Sequence, residues 1–276
     1  MENKIIDVNN ILFRCSSLGY IMTEAKGSIT EIQLAELKIL EEKENLTHAQ
    51  SKKYAELIAK RDAPPKLSDT TVVHLVDKYV SVKYGRETDI ITKYTNKGLS
   101  VEEDSLTLYS RYKKRNYTKN QETLSNEFIS GTPDVIKEHI IDIKSSWDIF
   151  TFFRTKAKDI NKMYYWQMQG YMALTGAKSA TLAYCLTDTP DHMINDEKRR
   201  LLWKMGALTE NDPLYIEGAE KLEANLRYED IPLEERIIEV EIERNEEDIH
   251  RIYQRVMQCR EYMAIYLFKT EALKTI

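Results

Sequence analysis

A pair of β-strands predicted in the middle of the chain restricts the possible folds more than any other segment. Residues 127–136 and 139–144 both have the composition of strands, and a tight turn around Lys137 and Glu138 joins them. Helical patterns come before and after this pair. Strands placed between helices are typical of α/β proteins, so we predict a central mixed β-sheet flanked by helices. The 9 Gly and 6 Pro are too few for the many turns of an all-β sandwich or barrel.

The helical patterns begin with a predicted hairpin of two helices over residues 28–62. Ser28 and Glu31 have the spacing of a capping box, and Thr47 is the expected cap of the second helix. The remaining predicted helices cover 71–82, 85–94, 158–175 and 245–268, and the remaining predicted strands cover 105–109, 179–186 and 236–243. We predict a single domain over residues 1–276, with the hairpin as an N-terminal elaboration and residues 84–187 as the functional core.

Charge and cysteine content exclude several classes of protein. A net charge of -5 excludes a histone-like coating protein, although it leaves room for a local basic groove. Cys15, Cys185 and Cys259 lie far apart without a Cys-x-x-Cys pair, which argues against a zinc ribbon or an iron–sulfur cluster. The start of the chain is too polar for a signal peptide, and no apolar run reaches the ~18 residues of a membrane span. We therefore expect a soluble, cytoplasmic protein with free thiols.

The segment GTPDVIKEHIIDIKSS, residues 131–146, carries the candidate site. Asp134 and Asp142 are placed symmetrically about Glu138, so they face each other on adjacent strands with Cβ atoms about 5 Å apart. Strand side chains alternate between faces, so Lys144 shares the face of Asp142. The sequence therefore predicts that two carboxylates and one ammonium converge on a single point.

This combination of groups predicts metal-assisted phosphodiester hydrolysis. Two close carboxylates repel at neutral pH unless a proton or a cation lies between them. Hard oxygen ligands favour Mg²⁺ or Mn²⁺, and such an ion polarises a phosphodiester oxygen and lowers the pKa of a bound water. Lys144 is suited to orient that water and to offset charge on the phosphate. A structural ion pair between Lys144 and Asp142 is the alternative, although a buried pair is costly.

These residues carry a resemblance to a known group of nucleases. Pro133, Asp134, Asp142, Ile143 and Lys144 resemble the motif of the PD-(D/E)xK nuclease superfamily, which has a restriction-endonuclease-like core. The resemblance implies that Asp134 and Asp142 bind the metal and that the main-chain carbonyl of Ile143 is a further ligand. It also implies that Lys144 assists the nucleophilic water.

The helix predicted after this segment strengthens the resemblance. Gln167 and Tyr171 are four residues apart, as in the Gln-x-x-x-Tyr motif of RecB-type and phage exonuclease-type members, where these groups line the cleft. An aromatic helix face packed on the sheet is the alternative. Gln169 matches a glutamine common in the phage group and is predicted to contact the substrate, although it points to another side of the helix.

Two earlier segments supply further candidates by resemblance. Residues 84–94, YGRETDIITKY, resemble the helix with the first acidic residue of the superfamily; Glu87 is our choice as catalytic residue and metal ligand, with Asp89 as competitor. Residues 13–23, FRCSSLGYIMT, resemble the opening of lambda-exonuclease-like (YqaJ-type) viral recombinases. In that family an Arg and a Ser hold the 5′-phosphate, and the matching residues are Arg14 and Ser17, with Ser16 as alternate.

The basic run RYKKRNYTK, residues 111–119, is a further candidate for substrate contact. Arg111 and Lys113 are predicted to neutralise phosphates, and the tyrosines between the cations are suited to stack on bases. A solvated loop is the alternative. Ser145, directly after the site lysine, is also predicted to contact the substrate.

The resemblance implies a metal-dependent DNA exonuclease that acts 5′ to 3′ on duplex ends in phage-type recombination. It implies transfer of the surviving strand to a single-strand annealing protein, and a homo-oligomer in the form of a ring trimer. Two alternatives stay open at this point. One is a structure-specific or restriction-type endonuclease of the same superfamily, and the other is a non-catalytic DNA-binding protein on this fold.

Overall fold

The computed structural model describes residues 7–63, 66–88 and 92–268. The internal contacts divide the chain into two compact units. Of the described residues, the first unit holds 7–11, 20–63, 66–87 and 254–268, and the second holds 12–19, 88 and 92–253. Internal compactness does not decide whether the units fold separately, so the single domain over residues 1–276 stays a prediction.

The strands of the described residues belong to the second unit. They are β1 Phe13–Arg14, β2 Leu124–Ser125, β3 Ile129–Gly131, β4 Val135–Ile136, β5 Ile140–Ser145, β6 Ser179–Cys185 and β7 Ile237–Glu243. They form one sheet of order β1-β3-β2 and another of order β4-β5-β6-β7. Both sheets are mixed, since β1 with β3 and β5 with β6 are parallel, whereas their other pairs are antiparallel.

Helices of the second unit pack on these sheets, which confirms the predicted mixed α/β fold. The helices of the described residues are α1 Leu18–Ile21, α2 Glu31–Glu41, α3 His48–Arg61, α4 Asp69–Tyr84, α5 Lys93–Ser100, α6 Glu102–Tyr112, α7 Ile149–Lys156, α8 Lys162–Thr175, α9 Asp191–Met205, α10 Pro213–Ala224 and α11 Glu246–Tyr262. Both α6 and α8 pack on β5 and β6. Ile141 faces α6, in a core cluster with Leu108 and Tyr109, so its neighbour Asp142 points to the opposite face of the sheet.

The predicted strand over residues 127–136 is interrupted, which is a correction to the sequence analysis. Its first part is β3, its second part is β4, and the two belong to different sheets. Pro133 lies in the gap, where its missing N–H costs no ladder hydrogen bond. The hairpin register itself is confirmed, since Val135 pairs with Ile141 and Ile136 with Ile140 around a turn centred on Glu138.

The strand predicted over residues 105–109 is wrong, because these residues belong to helix α6. Three acidic residues fill the first turn of α6, where the helix dipole favours negative charge. Ser105, Leu108 and Tyr109 are buried, and their spacing of three and four residues is that of a helix face packed on a core. A short alternating pattern fits both a strand and such a helix face, and here packing on the sheet decides for the helix.

The predicted helical hairpin is present in the first unit as α2 and α3. Thr47 caps α3 as predicted, in a capping box with Gln50. The cap of α2 is Thr30, in a capping box with Gln33, and not Ser28. Leu37, Leu40 and Leu57 are buried between the two helices.

The helix predicted over residues 85–94 is wrong at its start. Helix α4 ends in the left-handed conformation of Gly85, with φ of 62°, and residues 85–88 are not helical. Residues 89–91 lie outside the described part of the chain, and α5 begins only at Lys93.

The later elements follow the sequence pattern closely. Helix α8 ends at Gly176, and β7 is an edge strand, both as predicted. The predicted C-terminal helix is α11, followed by a π-helical turn over Met263–Leu267. In the ranges that the structure describes, no helix is long and apolar enough to cross a membrane.

A close approach at Gly19 attaches the FRCSSLG segment to α8, and a substitution there tests it. A Cβ atom added to Gly19 would lie 2.7 Å from the Cα atom of Met163 in α8. Because backbone cannot give way cheaply, we expect Gly19→Ala to destabilise the protein by about 1–3 kcal/mol in urea unfolding. Gly98 in α5 is the control, since an added Cβ meets nothing within 4 Å. There Ala should stabilise by up to about 1 kcal/mol, and equal stability of the two variants would contradict the packing.

Candidate active site

Asp134 and Asp142 meet across the β4–β5 hairpin. Continuing the register by one residue beyond Val135–Ile141 places Asp134 opposite Asp142. The Oδ2 atom of Asp134 accepts a hydrogen bond of 2.7 Å from the N–H of Ile143. Asp142 is only 2 % exposed. The two acidic residues and Ile143, which the sequence analysis placed in one motif, therefore form one compact arrangement.

The acidic pair has an unfavourable charge balance. Burial and the charge of Asp142 raise the pKa of Asp134 to about 7, although the Ile143 amide and Lys144 act in the opposite direction. A carboxylate pair in this state gains from any cation that enters between the oxygens. The electrostatics therefore favour a bound metal ion.

Lys144 stands beside the pair as a charged group. Its Nζ atom lies 2.6 Å from Oδ2 of Asp142 and 4.9 Å from the centre of the Tyr164 ring. Burial alone would lower the pKa of Lys144, but Asp142 and Asp134 outweigh burial and hold the pKa above its usual value. The Lys144 ammonium is therefore the partner of Oδ2 of Asp142.

Helix α8 brings Gln167 and Tyr171 to the same point. The Nε2 atom of Gln167 donates to Oδ1 of Asp142 at 3.3 Å and to the Tyr171 hydroxyl at 2.9 Å. The Tyr171 hydroxyl in turn donates to the carbonyl of Thr132 at 3.3 Å. Gly131 leaves the space that the Tyr171 ring fills, since a Cβ there would lie 2.6 Å from the ring. The two predicted cleft residues thus form a chain of hydrogen bonds from the Thr132 carbonyl to Asp142.

Gln169 lies on another side of α8 and has a different role from the predicted substrate contact. It is fully buried, its Nε2 donates to the carbonyl of Glu243, and its Oε1 accepts from the N–H of Asn245. These bonds connect α8 to the end of β7. No group of Gln169 is left to face a substrate.

Glu87 belongs to the other compact unit and its role stays a prediction, whereas Glu102 belongs to the same unit as the acidic pair. Glu87 is exposed, lies outside any helix and belongs to the first unit, whereas the acidic pair belongs to the second. Its competitor Asp89 lies outside the described residues. Glu102 begins α6, and after burial and Asp142 its charge also raises the pKa of Asp134. Glu102 also forms an ion pair with Lys119 at 2.5 Å, so its charge is already partly balanced.

The N-terminal candidates lie on β1 and the turn that follows it. Arg14 and Ser16 are exposed, and Arg14 lies beside Ser130 in the parallel pairing of β1 with β3. The hydroxyl of Ser17 donates to the carbonyl of Arg14 at 2.9 Å. Arg14 is thus free to meet a ligand, whereas the Ser17 hydroxyl is used within the turn.

The remaining residues predicted to contact the substrate differ in whether their side chains already have partners within the protein. Arg111 lines a basic pocket of 720 Å³ at the C-terminal half of α6. Lys113 forms an ion pair with Glu239 at 3.0 Å, and Ser145 shares a hydrogen bond of 2.7 Å with Ser105. Tyr117 is 7 % exposed, which leaves no open ring face for the base stacking suggested by the sequence.

The donor set fits a hard divalent ion held by few protein ligands. Across residues 7–63, 66–88 and 92–268, no group of three His, Cys, Asp or Glu side chains is arranged to hold a metal. Two carboxylates are present, and Oδ2 of Asp142 also pairs with Lys144. Mg²⁺ is commonly bound by one or two carboxylates and completes its shell with water and substrate oxygens. The oxygen donors of Asp134 and Asp142 are of this kind.

The chain is similar in structure to exonucleases. No protein-family model matches the sequence, and no curated protein matches it. The crystal structure of a phage-related exonuclease from Haemophilus somnus is 26% identical, with a TM-score of 0.64, and the match covers 96% of this chain and 100% of that one. An alkaline exonuclease from Laribacter hongkongensis is 14% identical, with a TM-score of 0.55, over 97% of this chain and 96% of that one. At 14% identity the second likeness shows the fold alone.

Proposed function

We propose that this chain is a metal-dependent DNA exonuclease that hydrolyses phosphodiester bonds from duplex ends. The convergence of Asp134, Asp142 and Lys144 at one point of the sheet carries the proposal. The likeness to a phage-related exonuclease over the whole length of both chains supports it. The same geometry argues against a non-catalytic DNA-binding protein, because DNA binding alone gives no reason to bury this charged set.

Each residue of the proposed site has a separate role in phosphodiester hydrolysis. Asp134 and Asp142, with the main-chain carbonyl of Ile143, would hold Mg²⁺ or Mn²⁺. When bound, the ion polarises the phosphodiester oxygen and lowers the pKa of a water. Lys144, charged and held against Asp142, orients the attacking water and offsets negative charge on the phosphate. Gln167 and Tyr171 fix the direction of the Asp142 carboxylate.

The choice between exonuclease and endonuclease is tested with two DNA forms. We expect an end-labelled linear duplex to be degraded with Mg²⁺, while a covalently closed plasmid of the same sequence stays intact. Cleavage of the closed circle would favour the structure-specific or restriction-type endonuclease. If no divalent ion supports degradation of either DNA, the proposed activity is wrong.

The 5′ to 3′ polarity rests on Arg14. A terminal phosphate carries more negative charge than an internal one and has an additional free oxygen, and a guanidinium can bind two such oxygens at once. We expect Arg14→Ala to slow the digestion of 5′-phosphorylated ends by about 10-fold or more, and to change the rate on 5′-hydroxyl ends little. The measurement compares the rates on both duplexes for wild type and variant. Equal slowing on both duplexes would show that Arg14 does not recognise the terminal phosphate. The 5′ to 3′ polarity would then lose its main support.

The biological role follows from the same reasoning. We propose that the enzyme takes part in phage-type recombination in the cytoplasm of a host cell and passes the surviving strand to a single-strand annealing protein. We also propose a homo-oligomer, a ring trimer around DNA, which sedimentation of the purified protein would detect. The support for this role is the likeness to a phage-related exonuclease.

A further inference from the structure

A second pocket opens directly beside Lys144, on the side away from the acidic pair. It has a volume of 450 Å³ and lies between β5–β7 and the segment from α7 to the start of α8. Lys144 is part of its wall, whereas Asp134 and Asp142 are not. Tyr164 and Tyr184 form another wall, with ring centres 6.3 Å apart. Lys144 thus marks the border between the catalytic carboxylates and this pocket.

The wall of this pocket carries cations without ion-pair partners in the part of the chain that the structure describes. Arg154 and Lys158 line it, and neither forms an ion pair or a side-chain hydrogen bond with any described residue. Asp159 is the one carboxylate of the pocket wall, so the cations outnumber it. Such a site attracts an anion.

The size of the pocket limits the anion that fits. Pockets for small organic ligands enclose about 300–1,000 Å³, and 450 Å³ lies at the lower end of that range. The tyrosine rings give an apolar surface with hydroxyl groups at its edge, as a nucleoside requires. A single nucleotide combines this partly apolar body with a phosphate for Arg154 and Lys158.

We propose that this pocket binds one nucleotide of the DNA strand, adjacent to the phosphodiester that is cut, with its phosphate between Arg154 and Lys158. The inference rests on the proposed nuclease function and deepens it by naming a second contact point on the strand. Lys144 lies between the two positions, so the scissile phosphate at the carboxylates and the neighbouring phosphate in the pocket are held on either side of it. Two fixed phosphates define the direction of the strand through the site.

The test uses thymidine 5′-monophosphate and thymidine as probes, with EDTA present so that no metal or turnover is needed. We expect the monophosphate to bind wild type more tightly than thymidine. The double variant Arg154→Gln, Lys158→Gln should lose about 10-fold or more of that affinity, the cost of losing hydrogen bonds to a charged group. Lys156→Gln is the matched control, because Lys156 ends the same helix α7, does not line the pocket and lies over the Phe153 ring at 5.2 Å.

The outcomes separate the pocket from the proposed activity. Equal monophosphate affinity of wild type and double variant, or equal binding of monophosphate and thymidine, overturns the pocket even if wild type degrades DNA. Phosphate-dependent binding that needs Arg154 and Lys158 supports the pocket even if wild type degrades no DNA. With an active wild type, the double variant should also raise KM for linear duplex much more than it lowers kcat. Since Arg154 and Lys158 are exposed, we expect the melting temperature of the double variant to stay at that of wild type.

Discussion

Replacing Asp142 with Asn is expected to abolish the degradation of linear duplex DNA, with a loss of about 10²–10³-fold or more in rate. The change is isosteric, so the amide fills the same space beside Gln167. It removes one of the two carboxylates that would hold the metal, and it removes the opposite charge that lies 2.6 Å from Lys144. Contacts to phosphate elsewhere on the protein are untouched. We therefore expect DNA affinity, measured without turnover, to persist.

The matched control is Asp196→Asn on α9. Asp196 stands two residues before Lys198, in the same acidic-x-Lys spacing as Asp142 and Lys144. It is exposed and pairs with Arg199 on the surface, where one such pair contributes little. Wild-type activity is expected for this variant. If Asp142→Asn digests DNA as fast as Asp196→Asn, the assignment of the site is wrong.

Removal of divalent metal ions is expected to stop the reaction completely. Burial, and after it the charge of Asp142, raises the pKa of Asp134 to about 7, so a divalent cation between the two carboxylates would favour their charged forms. Excess EDTA should abolish digestion, and Mg²⁺ or Mn²⁺ should restore it. Ca²⁺ is larger and takes more ligands, so it should support DNA binding without turnover. Full activity in EDTA would rule out the metal-assisted mechanism.

The sequence predicted the central hairpin well because side-chain period and turn position determine it together. Once Glu138 is taken as the turn centre, the pairing of Val135 with Ile141 and the facing of Asp134 and Asp142 follow from the alternation of strands. The Gln167–Tyr171 pair was placed well for a similar reason. Four residues are about one turn of helix, so both side chains reach the same side of α8.

Secondary structure was predicted wrongly where one local sequence pattern fits both a strand and a helix. Ser105 to Tyr109 alternates as in a strand, yet packing on β5 and β6 makes it a helix. Glu87 was chosen on a helix that is absent over residues 85–88. The division of one predicted strand between two sheets depends on contacts with β1, which is distant in sequence, and with β2, which directly precedes the predicted strand. Neither contact can be read from residues 127–136 alone.

The two hydrogen bonds of Gln169 give the end of β7 an influence on catalytic geometry. Gln167, Gln169 and Tyr171 share one rigid helix, so the rotation of α8 about its own axis is the same for all three. The amide of Gln169 fixes that rotation against main-chain groups of Glu243 and Asn245. Through Gln169, the end of β7 helps to set the angle from which Gln167 approaches Asp142. The alignment of the proposed active site is therefore controlled in part from an edge strand that lacks any recognisable motif.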